Sequence, residues 1–310
     1  MEARVYSPSS RPGTACHSRT DSELHNSRTT TEVQAHSSIT WVPPTGVLGG
    51  IVAEAYERVD RLRSDRGSVA ALERDAANAP PAPSFRAALR QPTVSVIAEV
   101  KRRSPSKGSI NPSLSAVAQA GAYATGGAAA VSVLTEPVHF GGSLDDLREA
   151  RATVGVPLLR KDFHVDELQL LEARAAGASA ALLIARALPP DTLHRLVVCA
   201  LSMDLEPLVE VRSTVELERA VAAGARVIGV NNRDLETLQI EPDVGDTIVR
   251  LIPAECIAIA ESGVRDVTDV ERAARAGADA VLVGSSVSAS ADPTGAVKRL
   301  TGVSRSGRGR

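Results

Sequence analysis

The strongest constraint on what this chain can fold into is a repeated alternation. Short, nearly continuous apolar runs at 93–101, 131–136, 156–163, 178–185, 206–211, 227–232, 256–262 and 278–284 are separated by amphipathic stretches of helical length. An apolar run that does not alternate with polar residues belongs to a strand covered on both faces, as in parallel sheets flanked by helices. Eight such βα units in succession, without a second domain's break, predict an α/β protein with a single closed (β/α)8 barrel of the TIM type. A doubly wound open sheet is the alternative, because strand count alone does not close a barrel.

The punctuation repeats as well. Ala-Gly-Ala tracts at 176–178, 223–225 and 276–278, with Gly126-Gly127-Ala128 as a variant, stand before the even-numbered strands, and Pro92, Pro157, Pro207 and Pro253 stand before or at the start of the odd ones. Glycine supplies a left-handed helix stop and proline cannot continue a helix, so the chain reads as four double βα units. A barrel of roughly 250 residues leaves flanking segments in a chain of 310. Residues 1–45, rich in Ser, Thr and Arg, are expected to be a disordered extension. Residues 46–303 form the barrel unit, led by helical patterns in 47–62, 68–80 and 84–90 that should cover one barrel end, and 304–310 read as a solvated basic tail.

Composition narrows the function classes. Aromatics are 2% of the chain and the formal charge is −2, which leaves little for stacking bases or attracting phosphate backbones, so no nucleic-acid partner is expected. No apolar run reaches the 18 or so residues that span a bilayer, and the N-terminus lacks the apolar stretch of a secretory signal; no membrane partner and a cytoplasmic location are expected. Cys16, Cys199 and Cys256 are isolated and read as reduced and structural, and the six histidines show no ligand spacing, so no metal is expected.

Candidate chemistry gathers where barrel active sites lie, at the C-terminal strand ends. Glu99 and Lys101 share the inward face of the first strand, Lys161 closes the third, Glu210 the fifth, Asn231 the sixth and Glu261-Ser262 the seventh. Any one of these could be a surface group, but apolar strands do not carry charges inward on five strands without partners or a task. Lysine occurs only at 101, 107, 161 and 298, while every other cation among 35 Lys and Arg residues is Arg. Three of four lysines thus fall on the proposed rim, where Lys, unlike Arg, can give up a proton once burial or a neighbouring cation lowers its pKa. Gly263 after the seventh strand, Gly284-Ser285 after the eighth and the loop at 102–108 offer backbone N–H groups, hydroxyls and cations where barrels bind phosphate.

The strings VIAEVKRRSPSKG, VLTE followed by HFGGS, LLRKDF, PLVEV, IGVNNRDL, ESG and VLVG, in that order on successive strands, resemble the indole-3-glycerol phosphate synthase family over residues 46–303. The resemblance implies a (β/α)8 barrel with extra N-terminal helices. It also implies the conversion of 1-(2-carboxyphenylamino)-1-deoxyribulose 5-phosphate into indole-3-glycerol phosphate, carbon dioxide and water, with no cofactor. By resemblance Lys161 is the general acid for ring closure, and Glu99 orients it and acts as base. Lys101 pairs with the substrate carboxylate and can protonate the departing hydroxyl, while Glu210 serves dehydration as acid or hydrogen-bond partner. Asn231, Glu261 and Ser262 match substrate-contacting positions of the catalytic set. Arg103, Ser104, Gly263, Gly284 and Ser285 match the phosphate cradle. Phe140 and Phe163 match walls for the aromatic ring, with plain core packing an equal reading. The expected partner is a small phosphorylated substrate, and the expected state a monomer or weak homodimer. The alternatives are a catalytically silent barrel acting as scaffold, and a phosphoribosylanthranilate isomerase.

Overall fold

The structure, a computed structural model, describes residues 41–308; of the expected extension over 1–45, residues 1–40, with Cys16 and three of the histidines, lie outside the described residues. In its last stretch Trp41 donates to the Arg186 carbonyl at 3.3 Å and Arg186 donates to the Val42 carbonyl at 2.6 Å. Eight strands form the barrel: β1 (Ser95–Val100), β2 (Ala130–Leu134), β3 (Leu158–Lys161), β4 (Ala180–Ile184), β5 (Glu206–Val211), β6 (Val227–Asn231), β7 (Ile257–Glu261) and β8 (Ala280–Val283). Every pair is parallel, each strand lies beside its neighbours in sequence, and β8 closes on β1 with Ser95 opposite Ala280. The sheet is a closed barrel, and the open-sheet alternative falls.

The expected helix stops are present. Gly127, Gly177, Gly224 and Gly277 all have positive φ, between 81° and 94°, at the ends of α4 (Ala116–Thr125), α6 (Glu167–Ala175), α8 (Thr214–Ala222) and α10 (Val267–Ala276). Helix starts are capped by short polar side chains: Ser143 opens α5 (Leu144–Thr153), Asp166 opens α6, Ser213 opens α8 and Asp266 opens α10, each accepting backbone N–H groups of the first turn. Three further helices complete the outer layer, α7 (Pro190–Ser202), α9 (Pro242–Leu251) and a short one over Pro293–Lys298 after β8.

Three helices precede the barrel: α1 (Gly46–Ser64), α2 (Arg66–Asn78) and α3 (Phe85–Ala88). α1 buries Leu48, Ile51, Val52, Ala55 and Val59, and its first turns overlie the mouth at the C-terminal strand ends, where Val47, Leu48 and Ile51 line the cavity. Only α1 therefore roofs the chemical end of the barrel; α3 lies at the opposite end, where Arg86 faces Glu206 and the Leu89 carbonyl accepts from Ser95, the first residues of β5 and β1. Inside, strand period two sets an apolar layer of Ile97, Leu159, Leu208 and Ile259, all fully buried, directly beneath Glu99, Lys161, Glu210 and Glu261. That layer seals the charged groups from the lower half of the barrel.

The segment read as a solvated basic tail is docked along its described length. Ser304 bridges Thr93, Arg305 pairs with Asp279, and Arg308 donates to Asp279 Oδ2 at 2.9 Å and to the Gly277 carbonyl at 2.7 Å. Asp279 is buried and also accepts the Ala258 N–H at 2.8 Å, so it recruits the two arginines as counter-ions. The sequence shows the basic residues but not the buried carboxylate that holds them. Removing residues 304–310 strands Asp279 without its cations, and breaking a buried pair costs about 3–5 kcal/mol. The truncated chain is expected to keep the far-ultraviolet dichroism of the barrel and to unfold at a clearly lower urea midpoint; an unchanged midpoint would show the clamp to be inert.

Candidate active site

At the mouth, α1 and the loops after β1, β2, β3, β6, β7 and β8 enclose a cavity of about 480 Å³. Glu99, Lys101, Lys161, Glu210, Asn231, Glu261 and Ser262 all line it, as do Ser104, Phe140, Phe163, Gly263, Gly284 and Ser285. Arg103 does not. The short hairpin that pairs Arg103 with Ser109 and Ser104 with Gly108 turns its exposed side chain away, over the Cα of Gly141. Lys107 and Arg233 are cations that do line the cavity.

Lys161 is the centre of the site. Its Nζ lies 3.8 Å from Glu99 Oε2, 3.7 Å from Glu210 Oε2 and 3.8 Å from Glu261 Oε2, while Lys101 Nζ sits 2.7 Å from Glu99 Oε1. Burial works against the Lys161 ammonium, but Glu210, then Glu99 and Glu261, outweigh it and hold the group above the usual lysine range. The expectation of a lysine made acidic by burial is thereby corrected: the neighbours of Lys161 are carboxylates, and they keep it charged. Burial likewise pushes Glu99 up, yet Lys101 and then Lys161 prevail and keep it below the ordinary carboxylate value. Glu261 goes the other way: burial first, then the nearby Glu210 and Glu99, outweigh Lys161 and raise it to about 8. The site thus holds a charged amine, a charged carboxylate and a carboxyl that keeps its proton at neutral pH.

Two glycines make this packing possible. A Cβ on Gly229 of β6 would stand 2.0 Å from Glu261 Oε1, and one on Gly284 would stand 2.3 Å from Glu99 Oε1 and 2.8 Å from Lys101 Nζ. Gly229 went unremarked in the sequence, although a glycine in mid-strand is itself the signal of a close approach. Asn231 donates to Glu210 Oε1 at 3.0 Å and accepts the Arg233 N–H at 2.9 Å, which orients both side chains.

The walls are set by buried polar groups behind them. Glu136, fully buried, accepts the N–H groups of Val138 at 3.0 Å, His139 at 2.6 Å and Phe140 at 3.0 Å, and so shapes the loop that presents Phe140. Phe140 and Phe163 face each other with ring centres 6.2 Å apart. Asp162, next to Lys161, takes Arg58 of α1 at 2.9 Å, Thr135 at 2.7 Å and the Phe163 N–H at 2.8 Å, pinning the roof helix to the end of β3. Glu54, Glu136 and His139 bring ligand-type atoms within 4.8 Å of one another, but both Glu136 oxygens already serve backbone donors. On the opposite rim Ser262 has φ 64° and Gly263 φ 88°, with the Ser262 carbonyl held by Asn232 Nδ2 at 2.9 Å; the turn is strained where it lines the cavity. Neither Cys199 nor Cys256 reaches the cavity, so a thiol base is missing there among the described residues.

Because Glu261 binds its proton more tightly folded than unfolded, stability is lost as pH rises from about 4.5 toward 8, where the unfolded chain is ionised and the folded one resists. Glu261→Gln is expected to melt like the parent at pH 5 and several degrees higher at pH 9. Equal melting temperatures at both pH values would contradict the raised carboxyl.

The profile of the indole-3-glycerol phosphate synthase family matches residues 48–300 of this chain. The indole-3-glycerol phosphate synthase of Nocardioides sp. strain JS614 is 52% identical over 223 residues, covering 72% of this chain and 84% of that protein. Indole-3-glycerol phosphate synthase 2 of Streptomyces coelicolor is 46% identical over 258 residues, covering 83% of this chain and 100% of that protein. Among solved structures, 3-hexulose-6-phosphate synthase from Salmonella typhimurium superposes with a TM-score of 0.54 at 14% identity, over 67% of this chain and 96% of that one, a likeness of fold alone.

Proposed function

This chain belongs to the indole-3-glycerol phosphate synthase family, and on that premise we propose how the groups at the barrel mouth divide the reaction among themselves. The enzyme is a carbon-carbon lyase of tryptophan biosynthesis that closes the indole ring of 1-(2-carboxyphenylamino)-1-deoxyribulose 5-phosphate with loss of carbon dioxide and water. The observation that carries the proposal is one charged lysine within 4 Å of three buried carboxyl groups, with a second lysine against one of them.

The phosphate lies among Ser104, Lys107, Gly263, Gly284 and Ser285, and the aromatic ring between Phe140 and Phe163 with its carboxylate toward Lys101. The ring carbon bearing the carboxylate attacks the ketone carbon. A carbon-carbon bond forms and the carbonyl oxygen takes a proton from Lys161. Carbon dioxide then leaves, and the pair from its bond restores the aromatic ring. Glu261, protonated at neutral pH and 3.8 Å away, returns a proton to Lys161 and regains its own from solvent. Dehydration follows. The new hydroxyl departs as water with a proton from Lys101, pushed by the anilino nitrogen, and Glu99 takes the proton from the neighbouring carbon. Glu99 then returns it to Lys101 across 2.7 Å. Glu210, oriented by Asn231, accepts from the substrate hydroxyl and keeps Lys161 charged, and Ser262 lines the same wall. One proton is taken up overall, which balances the carboxylate lost as neutral carbon dioxide.

The catalytic unit is 46–303, and it acts on its small phosphorylated substrate in the cytoplasm, as a monomer or weak homodimer, without nucleic acid or membrane. The family's biosynthetic role and a net charge of −2 support that reading. Purified chain given the carboxyphenylamino sugar phosphate should form fluorescent indole-3-glycerol phosphate. Lys161→Arg should fold and bind substrate yet lose about 10² to 10⁴ in kcat, the contribution of one positioned acid; near-parental turnover would remove Lys161 from this role. Ser104→Ala and Ser285→Ala should raise KM with little change in kcat, as losses of uniform binding do, and an unchanged KM would count against the cradle. Deleting residues 1–40 should leave turnover intact, and a large loss would assign them a part in catalysis.

A further inference from the structure

After Gly284 the chain turns into the four-residue helix α11 (Ser285–Ser288), so the β1–β8 ladder ends at the Ala98–Val283 pair. The next backbone groups on that edge of β1 are the Glu99 carbonyl and the Lys101 N–H, those of the two residues that carry the acid and base. Both are taken up by one side chain. Ser288 Oγ donates to the Glu99 carbonyl at 2.8 Å and accepts the Lys101 N–H at 3.2 Å, replacing the missing rung of the sheet. Ser288 is fully buried and braced from outside the barrel: Tyr123 OH lies 3.1 Å from its Oγ and 3.2 Å from the Glu99 carbonyl, and Gln119 Nε2 donates to Tyr123 OH at 2.8 Å and to the Val287 carbonyl at 3.3 Å. From inside the barrel the same turn presses on the same pair, since the Cα of Gly284 leaves no room for a methyl group beside Glu99 Oε1 and Lys101 Nζ.

We infer that Ser288 is a positioning residue that makes the turn 284–288 and the Glu99–Lys101 pair one mechanical unit, so that phosphate held at Gly284 and Ser285 sets the placement of the acid and base. This rests on the phosphate cradle proposed above. Anion binding at the turn stiffens α11, α11 carries Ser288, and Ser288 fixes the backbone on either side of the side chains that must meet the substrate. A displacement of about 1 Å in such groups is enough to cost up to 10²-fold in rate.

The test separates the cradle from the coupling. Inorganic phosphate is titrated as an inhibitor of the normal substrate, and as an activator of the phosphate-free analogue 1-(2-carboxyphenylamino)-1-deoxyribulose, for the parent and for Ser288→Ala. In the parent, phosphate should inhibit the first reaction and raise kcat/KM of the second by about tenfold or more. Ser288→Ala should be inhibited by phosphate with a constant within about twofold of the parent's. It should turn over the unaided analogue more slowly than the parent, because the rung that holds Glu99 and Lys101 is lost, and gain less than about twofold from phosphate. A general loss of structure would instead weaken inhibition by phosphate as well, because the cradle would be disturbed together with the pair. Ser288→Cys, nearly the same shape with a weaker donor and acceptor, should show intermediate activation, and it carries the test alone if the alanine variant does not fold. Equal activation in parent and variants, or a parent inhibited but not activated, would overturn the coupling alone. A parent that phosphate does not inhibit would overturn the cradle and the coupling with it.

Discussion

The attraction between the Lys161 ammonium and three buried carboxyl groups is the interaction on which the rest of this site depends. Each carboxylate taken singly would be costly above an apolar layer, and so would the lysine. Together they hold a proton at a chosen point, with Lys161 kept charged and Glu261 kept neutral. The arrangement stores unfavourable electrostatics in the native state and spends them where a ketone must be protonated and later a hydroxyl expelled. A site built this way is a liability for folding, and the surrounding barrel compensates through its continuous aliphatic core.

Geometry this tight needs room as well as charge. The barrel provides it by omitting side chains at two inward positions, Gly229 beside Glu261 and Gly284 beside Glu99 and Lys101. It also fixes the reacting groups and the loops around them with polar side chains drawn from several elements. Asn231 steadies Glu210, Asp162 ties β3 to the roof helix, Glu136 shapes the Phe140 loop, and Ser288 completes β1 where β8 gives out. These braces come from different elements, so the precision of the site is a property of the closed barrel and not of any single loop.

Much of this was legible in the sequence because it rests on local rules. Apolar runs, glycine stops and prolines mark the eight βα units, and period two along each strand places Glu99, Lys161, Glu210 and Glu261 on one inner face. What escaped were consequences of three-dimensional proximity. Arg103 and Ser104 are adjacent in sequence, yet only Ser104 reaches the cavity, because the hairpin pleat sends neighbours to opposite sides. The terminal arginines looked solvated because their partner, Asp279, lies in the β7–β8 connection. The direction of the Lys161 shift depends on three carboxyl groups from three other strands, and strand ends far apart in sequence do not announce their separations.

The central claim is best tested on the lysine itself. With only four lysines in the chain, ¹⁵N-lysine labelling resolves each Nζ, and Lys161→Arg assigns its signal. Followed from pH 6 to 11.5, Lys161 should keep the chemical shift of an ammonium well above the ordinary lysine value of about 10.4, and Glu210→Gln should bring its titration down toward that value. A Lys161 that loses its proton at or below the ordinary lysine value of about 10.4 would contradict the account.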